Sequence, residues 1–422
     1  MSALATLVAQ IGVVLVAARL VARLFRKIHQ PQVVGEMVAG IMLGPSLLGW
    51  AAPKLSAFLF PASTMGNLNS LSQIGLVLFM FLVGLSINPR ELKGFGNAAV
   101  LVSHVSIVAP FTLAAGLSLL LYPRFSDSSV PFTGFALFMG AAMSITAFPV
   151  LARILSERGL LRTRIGTLSI ACAAVDDVTG WCILAGIVVL IRSVHSSTPV
   201  WITLTGSVAF VLTMFLVVKR LLARLEGHYV KHAGFTETSI TLIIVLVMVS
   251  ALTTELLGIH LLFGAFLAGV VMPKNQAFAH SLREKFESVT VALLLPLYFA
   301  FTGLRTRIGL VRGPEMWAWC AAIIVVAIAG KLGGSMTAAR TAGMCWSDSA
   351  VLGILMNTRG LMELVILNIG LDLGIISPAL FSMMILMALI TTFMTTPLLR
   401  WVSPRLHESP IAQSSLEATA AV

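Results

Sequence analysis

The sequence predicts an all-α integral membrane protein with about 13 transmembrane helices, and three observations predict it. Of the 422 residues, 58% are hydrophobic and only 11% are charged, with a mean hydropathy of +0.98. Soluble domains are typically about 45–50% apolar and 25% charged, so a water-soluble core could not hide this much apolar surface. The apolar residues fall into runs close to the roughly 20 residues a helix needs to cross a 30 Å hydrocarbon core. Lys and Arg concentrate on alternate connections, the asymmetry that orients a chain with many crossings.

Taken in order, the spans fall near residues 3–25, 33–50, 71–88, 96–122, 132–155, 164–191, 199–222, 236–256, 260–272, 287–304, 315–339, 347–371 and 377–401. The first runs directly into Arg23, Arg26 and Lys27 with no small-residue cleavage site, which reads as a retained helix rather than a signal peptide. The ninth is short and glycine-rich. With the N-terminus outside and the C-terminus cytoplasmic, 19 of the 28 Lys and Arg fall inside and 6 outside, leaving Arg19, Lys331 and Arg359 at membrane depth. The cluster Arg305, Arg307 and Arg312 falls on the outer side, against the trend. The formal charge of +11 therefore reads as a topology signal and an attraction to anionic headgroups, not as a nucleic-acid footprint. Cys172, Cys182, Cys320 and Cys345 lie in or beside apolar segments without CxxC spacing, so neither disulfides nor a cysteine metal site are expected. Residues 403–422 are polar and too short for a soluble domain, and are expected to form a disordered cytoplasmic tail after a single transmembrane domain, 1–402.

Charges at membrane depth locate the chemistry, because each costs at least about 2.5–3.5 kcal/mol at mid-bilayer. In the sixth span, AVDDVTGW places Asp176 and Asp177 side by side. Adjacent residues diverge by about 100° around a helix, so both carboxylates can edge one cavity without facing each other. Carboxylate oxygens suit hard cations, and neighbouring like charges oppose simultaneous ionisation. A group that holds either a proton or a cation, but not both, is the minimal chemistry of an exchange site. The bland alternative is a pair of structural acids satisfied by neighbouring helices. Lys331, in IAGKLGGS of the eleventh span, needs a buried partner and finds a candidate in one of these acids, unless it snorkels to the interface.

Two interrupted segments add to this. SITAFPVLARIL puts Pro149 inside an apolar span, where proline removes a backbone donor and frees a carbonyl; Ser144, Thr146 and that carbonyl could line a cavity. MNTRGLMEL puts Asn357, Thr358, Arg359 and Gly360 where lipid-facing residues should be, and irregular backbone at that depth is tolerated only beside protein or a water-filled cavity. With spans 1–6 and 8–13 as two halves around a linker helix, these are the equivalent fifth and twelfth spans. That is the pattern of a midplane site in an inverted-repeat transporter. Glu363, four residues after Arg359, reads as its structural ion-pair partner on one helix face. Glu36 and Glu255 could be structural pairs or cavity edges.

The segments QPQVVGEMVAGIMLGPSLLG, MFLVGLSINP, SITAFPVLARIL, AAVDDVTGW, GIHLLFGAFLAGVVMP and MNTRGLMELVILNIGLDLGIIS resemble the second branch of monovalent cation:proton antiporters. That branch includes NapA-like and cyanobacterial sodium/proton antiporters, Kef-type potassium/proton systems and plant cation/proton exchangers. The resemblance implies a 13-helix inverted-repeat fold with two broken, crossing helices, interleaved core and scaffold bundles, a homodimer and an elevator-type movement of the core. It implies that Asp177 is where cation and proton compete. It further implies that Asp176 pairs with Lys331 until a cation binds, and that Ser144, Thr146, Asn357 and Thr358 lie near the crossing. Kef-type relatives replace the first acid of the pair and append a nucleotide-sensing domain; this chain does neither, which argues against gated potassium efflux.

The expected activity is therefore exchange of Na+, or else Li+ or K+, for protons, electrogenic because two acids and a lysine suggest two protons per cation. A K+/H+ antiporter of the same fold is the alternative. A channel lacks a carbonyl filter or rings of charge, and a non-transporting sensor has no reason to keep three buried charges. No nucleophile–base constellation and no cofactor fingerprint is present, so neither an enzyme nor a bound cofactor is expected. The expected partners are monovalent cations, protons, the bilayer and a second copy of the chain. The N-terminus lacks transit-peptide character, which favours a bacterial inner membrane.

Overall fold

The computed structural model describes residues 2–28, 30–86, 97–126, 130–158, 160, 163–195, 200–231 and 234–402, and the regular structure among them is helical. Helices α1 (Ala3–Lys27), α2 (Gln32–Leu43), α3 (Leu48–Ala51), α4 (Pro53–Leu59), α5 (Ala62–Ser86), α6 (Asn97–Phe125), α7 (Phe132–Ser144), α8 (Phe148–Glu157) and α9 (Arg164–His195) come first. They are followed by α10 (Val200–Thr213), α11 (Lys219–Lys231), α12 (Glu237–Leu256), α13 (Leu261–Val270), α14 (Gln276–Val289) and α15 (Leu295–Arg305). The chain ends with α16 (Gly313–Ile328), α17 (Gly334–Thr341), α18 (Trp346–Met356), α19 (Leu361–Asp372) and α20 (Pro378–Val402). Three joints are π-helical: Met214–Val218, Thr290–Leu294 and Ala329–Gly333. The expected tail, 403–422, lies outside the described residues.

Among the described residues nine continuous helical runs are long and apolar enough to cross a membrane, or ten if α18 and α19 count as one span bent by 42°. Helices α7 and α13 are apolar but shorter. Many large apolar side chains remain exposed, among them Leu4, Val8 and Val16 on α1 and Leu242, Val245 and Val249 on α12. Only an apolar surrounding makes such faces tolerable, and the chain is an integral membrane protein.

Two helices begin earlier than the apolar runs suggest. The third expected span, 71–88, is part of α5, which starts at Ala62 because its polar first turns are used: the Gln10 amide donates to the Thr64 hydroxyl at 2.8 Å. The tenth, 287–304, continues an amphipathic helix from Gln276, capped by the Asn275 side chain, which accepts from the Ala277 and Phe278 amides. The Pro149 expectation also needs correcting. Helix α8 begins at Phe148, so Pro149 stands in a first turn, where no intrahelical donor is required, and the interruption is Ile145–Ala147.

Contacts divide the chain into two compact units. The first comprises Met1–Leu20, Glu36–Glu91 and Trp181–Arg305. Its helices are drawn together by small residues, as membrane packing requires in place of a hydrophobic driving force. A Cβ on Gly269 of α13 would run into the Phe81 carbonyl of α5, and one on Gly84 of α5 into the Phe266 carbonyl of α13. Gly264, on another face of α13, lies just as close to the Ser250 carbonyl of α12. The Lys274 ammonium ties the ends of α5 and α13 together, donating to the carbonyls of Gly84, Leu85 and Gly269 at 3.1–3.3 Å. A cation at two helix C-termini answers both dipoles.

The second unit comprises Val21–Gly35, Leu92–Gly180 and Thr306–Val422. Helix α6 packs on α7, α16 and α17, and α18 packs on α17 and α20. One buried apolar cluster joins Leu151, Ile154 and Leu155 of α8 to Cys172 and Ala173 of α9 and to Val351, Leu352 and Leu355 of α18. Gly330 and Gly334 let the chain around the third π-joint approach α6, where added Cβ atoms would meet Pro110 and Ala109.

Gly269→Val should cost about 2 kcal/mol or more through overpacking against α5. Gly116→Ala in α6, with nothing within 4 Å of the added carbon, should be neutral or stabilising by up to about 1 kcal/mol. Thermal unfolding of the purified protein checks both; equal melting points for Gly269→Val and wild type would contradict the close-packing account.

Candidate cation and proton site

The second unit brings its charged residues to two interruptions. Between α7 and α8 the backbone at Ile145 is extended, and between α18 and α19 four residues from Asn357 to Gly360 leave the helix. Interrupted helices strand carbonyls and amides that lipid could not satisfy. Here each break satisfies the other: the Ala147 amide donates to the Thr358 carbonyl at 3.0 Å, and the Thr146 hydroxyl lies 3.0 Å from the Met356 carbonyl. The crossing is tight. A Cβ on Gly360 would stand 2.7 Å from the Val150 side chain.

Asp176, on α9, is fully buried and densely held. Its Oδ2 accepts from Lys331 Nζ at 2.6 Å and from the Thr146 hydroxyl at 2.8 Å. Ser106 Oγ lies 3.0 Å from Oδ1 and 3.1 Å from Oδ2, and Ser103 Oγ lies 3.3 Å from Oδ1. Lys331 is 0% exposed, so it does not snorkel. It sits in the third π-joint, whose widened turn is a recurrent feature of functional positions. Besides Asp176 its ammonium donates to the carbonyls of Ser106 and Ser144. The carbonyl that Lys331 takes is that of Ser144, free because α7 ends there and not because of Pro149 as expected; the Ser144 hydroxyl turns back to its own helix at the Ala141 carbonyl.

Asp177 differs in kind. It is 1% exposed, and neither carboxylate oxygen has a hydrogen-bond partner among the described residues. Phe148, the first residue of α8, lies beside it. Behind it, a Cβ on Gly180 would meet the Ile145 side chain, so α9 lies directly against the unwound strand. An ionised carboxylate cannot stay buried unanswered. Asp177 is thus the acid of the pair that no donor answers among the described residues.

Asn357 and Thr358 are buried at the second break, but among the described residues the Asn357 side-chain carbonyl oxygen and the Thr358 hydroxyl make no hydrogen bond. Arg359 stands in the break itself, not on one helix face with Glu363. Its guanidinium donates to Glu363 at 3.3 Å and to the carbonyls of Ala142 and Met143 at 3.4 and 2.8 Å, so it caps the C-terminal end of α7. The Thr392 hydroxyl holds its backbone at 2.7 Å from the carbonyl side and 3.1 Å from the amide side. Glu255 lies in the first unit, accepting from the Leu261 amide at 3.1 Å. Ser103 and Ser106 were not among the expected residues; in the sequence they are two more hydroxyls in a helix that also carries His104, Thr112 and Ser118. Among the described residues no three His, Cys, Asp or Glu side chains converge as a resident metal would need.

The model of the transmembrane sodium/hydrogen exchanger family matches residues 13–402. The chain is 44% identical to the Na(+)/H(+) antiporter NhaS4 of Synechocystis over 401 residues, covering 94% of this chain and 97% of that one. It is 41% identical to cation/H(+) antiporter 17 of Arabidopsis thaliana and 31% identical to K(+)/H(+) antiporter 1 of Saccharomyces cerevisiae. It covers 94% and 96% of itself in those matches but spans about half the length of each of those two relatives (48% and 47%). Among solved structures, the sodium proton antiporter MjNhaP1 of Methanocaldococcus jannaschii superposes with a TM-score of 0.69 at 17% identity, covering 96% of this chain and all of that one. A fold shared at full length, a family match across the whole membrane region and a buried Asp176–Lys331 pair agree: the chain belongs to the sodium/hydrogen exchanger family.

Proposed function

We propose that the protein exchanges a monovalent cation, Na+ first and Li+ or K+ after it, for protons, and that Asp177 is the group the two compete for. The observation that carries this is the contrast within the acid pair. Asp176 already has an ammonium and hydroxyls within reach, whereas both Asp177 oxygens are buried without a hydrogen-bond partner among the described residues. A buried carboxylate in that state needs a positive companion, and proton and cation exclude one another. Cation binding beside Asp176 displaces Lys331, whose ammonium then gives up its proton to water; with the proton released by Asp177, that makes two protons moved per cation. Each cycle then carries one net charge, coupled to membrane potential at about 2.3 kcal/mol per 100 mV.

The name of the cyanobacterial relative, which this chain matches along 97% of its length, supports sodium. The yeast relative, named a K(+)/H(+) antiporter, keeps potassium as the second reading. Residues 1–402 act as one transporter domain of 13 crossings arranged as an inverted repeat. The second unit serves as the moving core and the first as the scaffold of a homodimer, and residues 403–422 form a short cytoplasmic tail. Asn357 and Thr358 supply polar lining near the ion's path, and Arg359 with Glu363 is a structural pair. The membrane is a bacterial inner membrane, with the N-terminus outside.

Reconstituted in proteoliposomes, wild type should show cation-driven proton movement with sodium, and Asp177→Asn should fall to the protein-free background. Potassium alone driving the wild type would select the second reading; silence with sodium, lithium and potassium from about pH 6 to 9 would point to a non-transporting sensor. An imposed potential should speed or slow the wild-type flux according to its sign, and indifference to potential would refute the two-for-one stoichiometry.

A further inference from the structure

We propose that Ser106, assisted by Ser103, is a positioning residue that takes over the Asp176 carboxylate whenever Lys331 releases it. The inference rests on the exchange reading above, in which that release occurs in each cycle.

Both serines are buried on α6, at 0% and 1% exposure. The single hydroxyl hydrogen of Ser106 has three acceptors in reach: the Ser103 carbonyl at 2.7 Å and the two Asp176 oxygens at 3.0 and 3.1 Å. It therefore has two resting places, one on its own helix and one on the acid, separated by rotation about one bond. The carbonyl of the same residue accepts from Lys331 at 2.9 Å. Ser106 thus holds both members of the ion pair, the ammonium by its backbone and the carboxylate by its side chain. Thr146 is placed similarly, between the Met356 carbonyl and Oδ2.

While Lys331 is in contact with Oδ2, the ammonium supplies the charge-assisted bond and Ser106 is free to donate backwards. When Lys331 leaves, a buried anion would stand with one donor fewer, at heavy cost. The Ser106 hydroxyl swings onto it, and Ser103 already faces Oδ1. The two hydroxyls thus fill the acceptor positions that the ammonium vacates. Without the hydroxyl, Lys331 is held more tightly and the cation competes less well.

The test compares sodium-driven exchange across pH for wild type, Ser106→Ala, Ser106→Thr and Ser118→Ala. Ser118 is an equally buried α6 serine whose hydroxyl donates to the Ala114 carbonyl, so it reports loss of an ordinary helix serine. Ser106→Ala should raise the KM for sodium about fivefold, the worth of one net hydrogen bond. Its pH profile should move to higher pH by about 0.7 unit, the same factor expressed as protons. The rate at saturating sodium should change little, Ser106→Thr should restore both values, and Ser118→Ala should match wild type. A Ser106→Ala protein that loses rate with KM and pH profile unmoved, or that behaves as Ser118→Ala does, overturns the proposal. If Ser106→Ala does not fold, Ser103→Ala must show a smaller shift in the same direction, and the absence of one overturns it equally. Sodium-dependent thermal stabilisation of the purified variants measures the same competition without transport. A wild type that binds sodium but does not exchange removes the exchange reading, whereas an exchanging wild type with an unshifted Ser106→Ala removes only this one.

Discussion

Two opposite charges, each with no exposure to water, lie 2.6 Å apart in the second unit, and much of the surrounding structure compensates for the solvent they have given up. Desolvating an ammonium and a carboxylate costs more than their mutual attraction returns unless the remaining donors and acceptors are filled. They are filled from every side. The last residue of α7 supplies a carbonyl to the lysine, Thr146 within the interruption supplies a hydroxyl to the acid, and α6 supplies a carbonyl and has two hydroxyls in reach. The break in α7 is thus not a defect accommodated elsewhere; it is a source of the polar groups the pair needs.

Set against this fully answered pair, Asp177 is conspicuous. It follows Asp176 in the chain, has the same chemistry and nearly the same burial, yet its oxygens are left to whatever positive species can reach them. The difference arises from helix geometry alone, since a step of about 100° turns one side chain toward α6 and Lys331 and the next away from them. Two identical residues acquire two environments through position.

What could be read from the sequence follows from which signals stand out against an apolar background. Asp176, Asp177 and Lys331 stand out because charge is expensive in lipid, and the Asn357–Gly360 interruption stands out because four consecutive residues there are unsuited to a lipid-facing helix. Ser103 and Ser106 do not stand out. A serine in a membrane helix ordinarily returns its hydrogen to a carbonyl three or four residues back, as Ser72, Ser118 and Ser169 do here. Only the fold reveals which of them has a second acceptor. Spacing also misled where it assumed an unbroken helix: Arg359 and Glu363 are four apart, but the arginine lies outside α19 and spends two further bonds on α7. Pro149 drew attention to the right segment for the wrong reason, since it starts a helix rather than interrupting one.

The joining of the two interruptions has a mechanical consequence. An amide and a guanidinium pass between them, and the three bonds they make there end on main-chain carbonyls, with the Thr146 hydroxyl in reach of a fourth. Sliding one interrupted helix past the other would strand those carbonyls where no water waits to receive them. The two interrupted helices are therefore one mechanical piece: neither can shift alone without breaking the knot, and any shift of one takes the other with it.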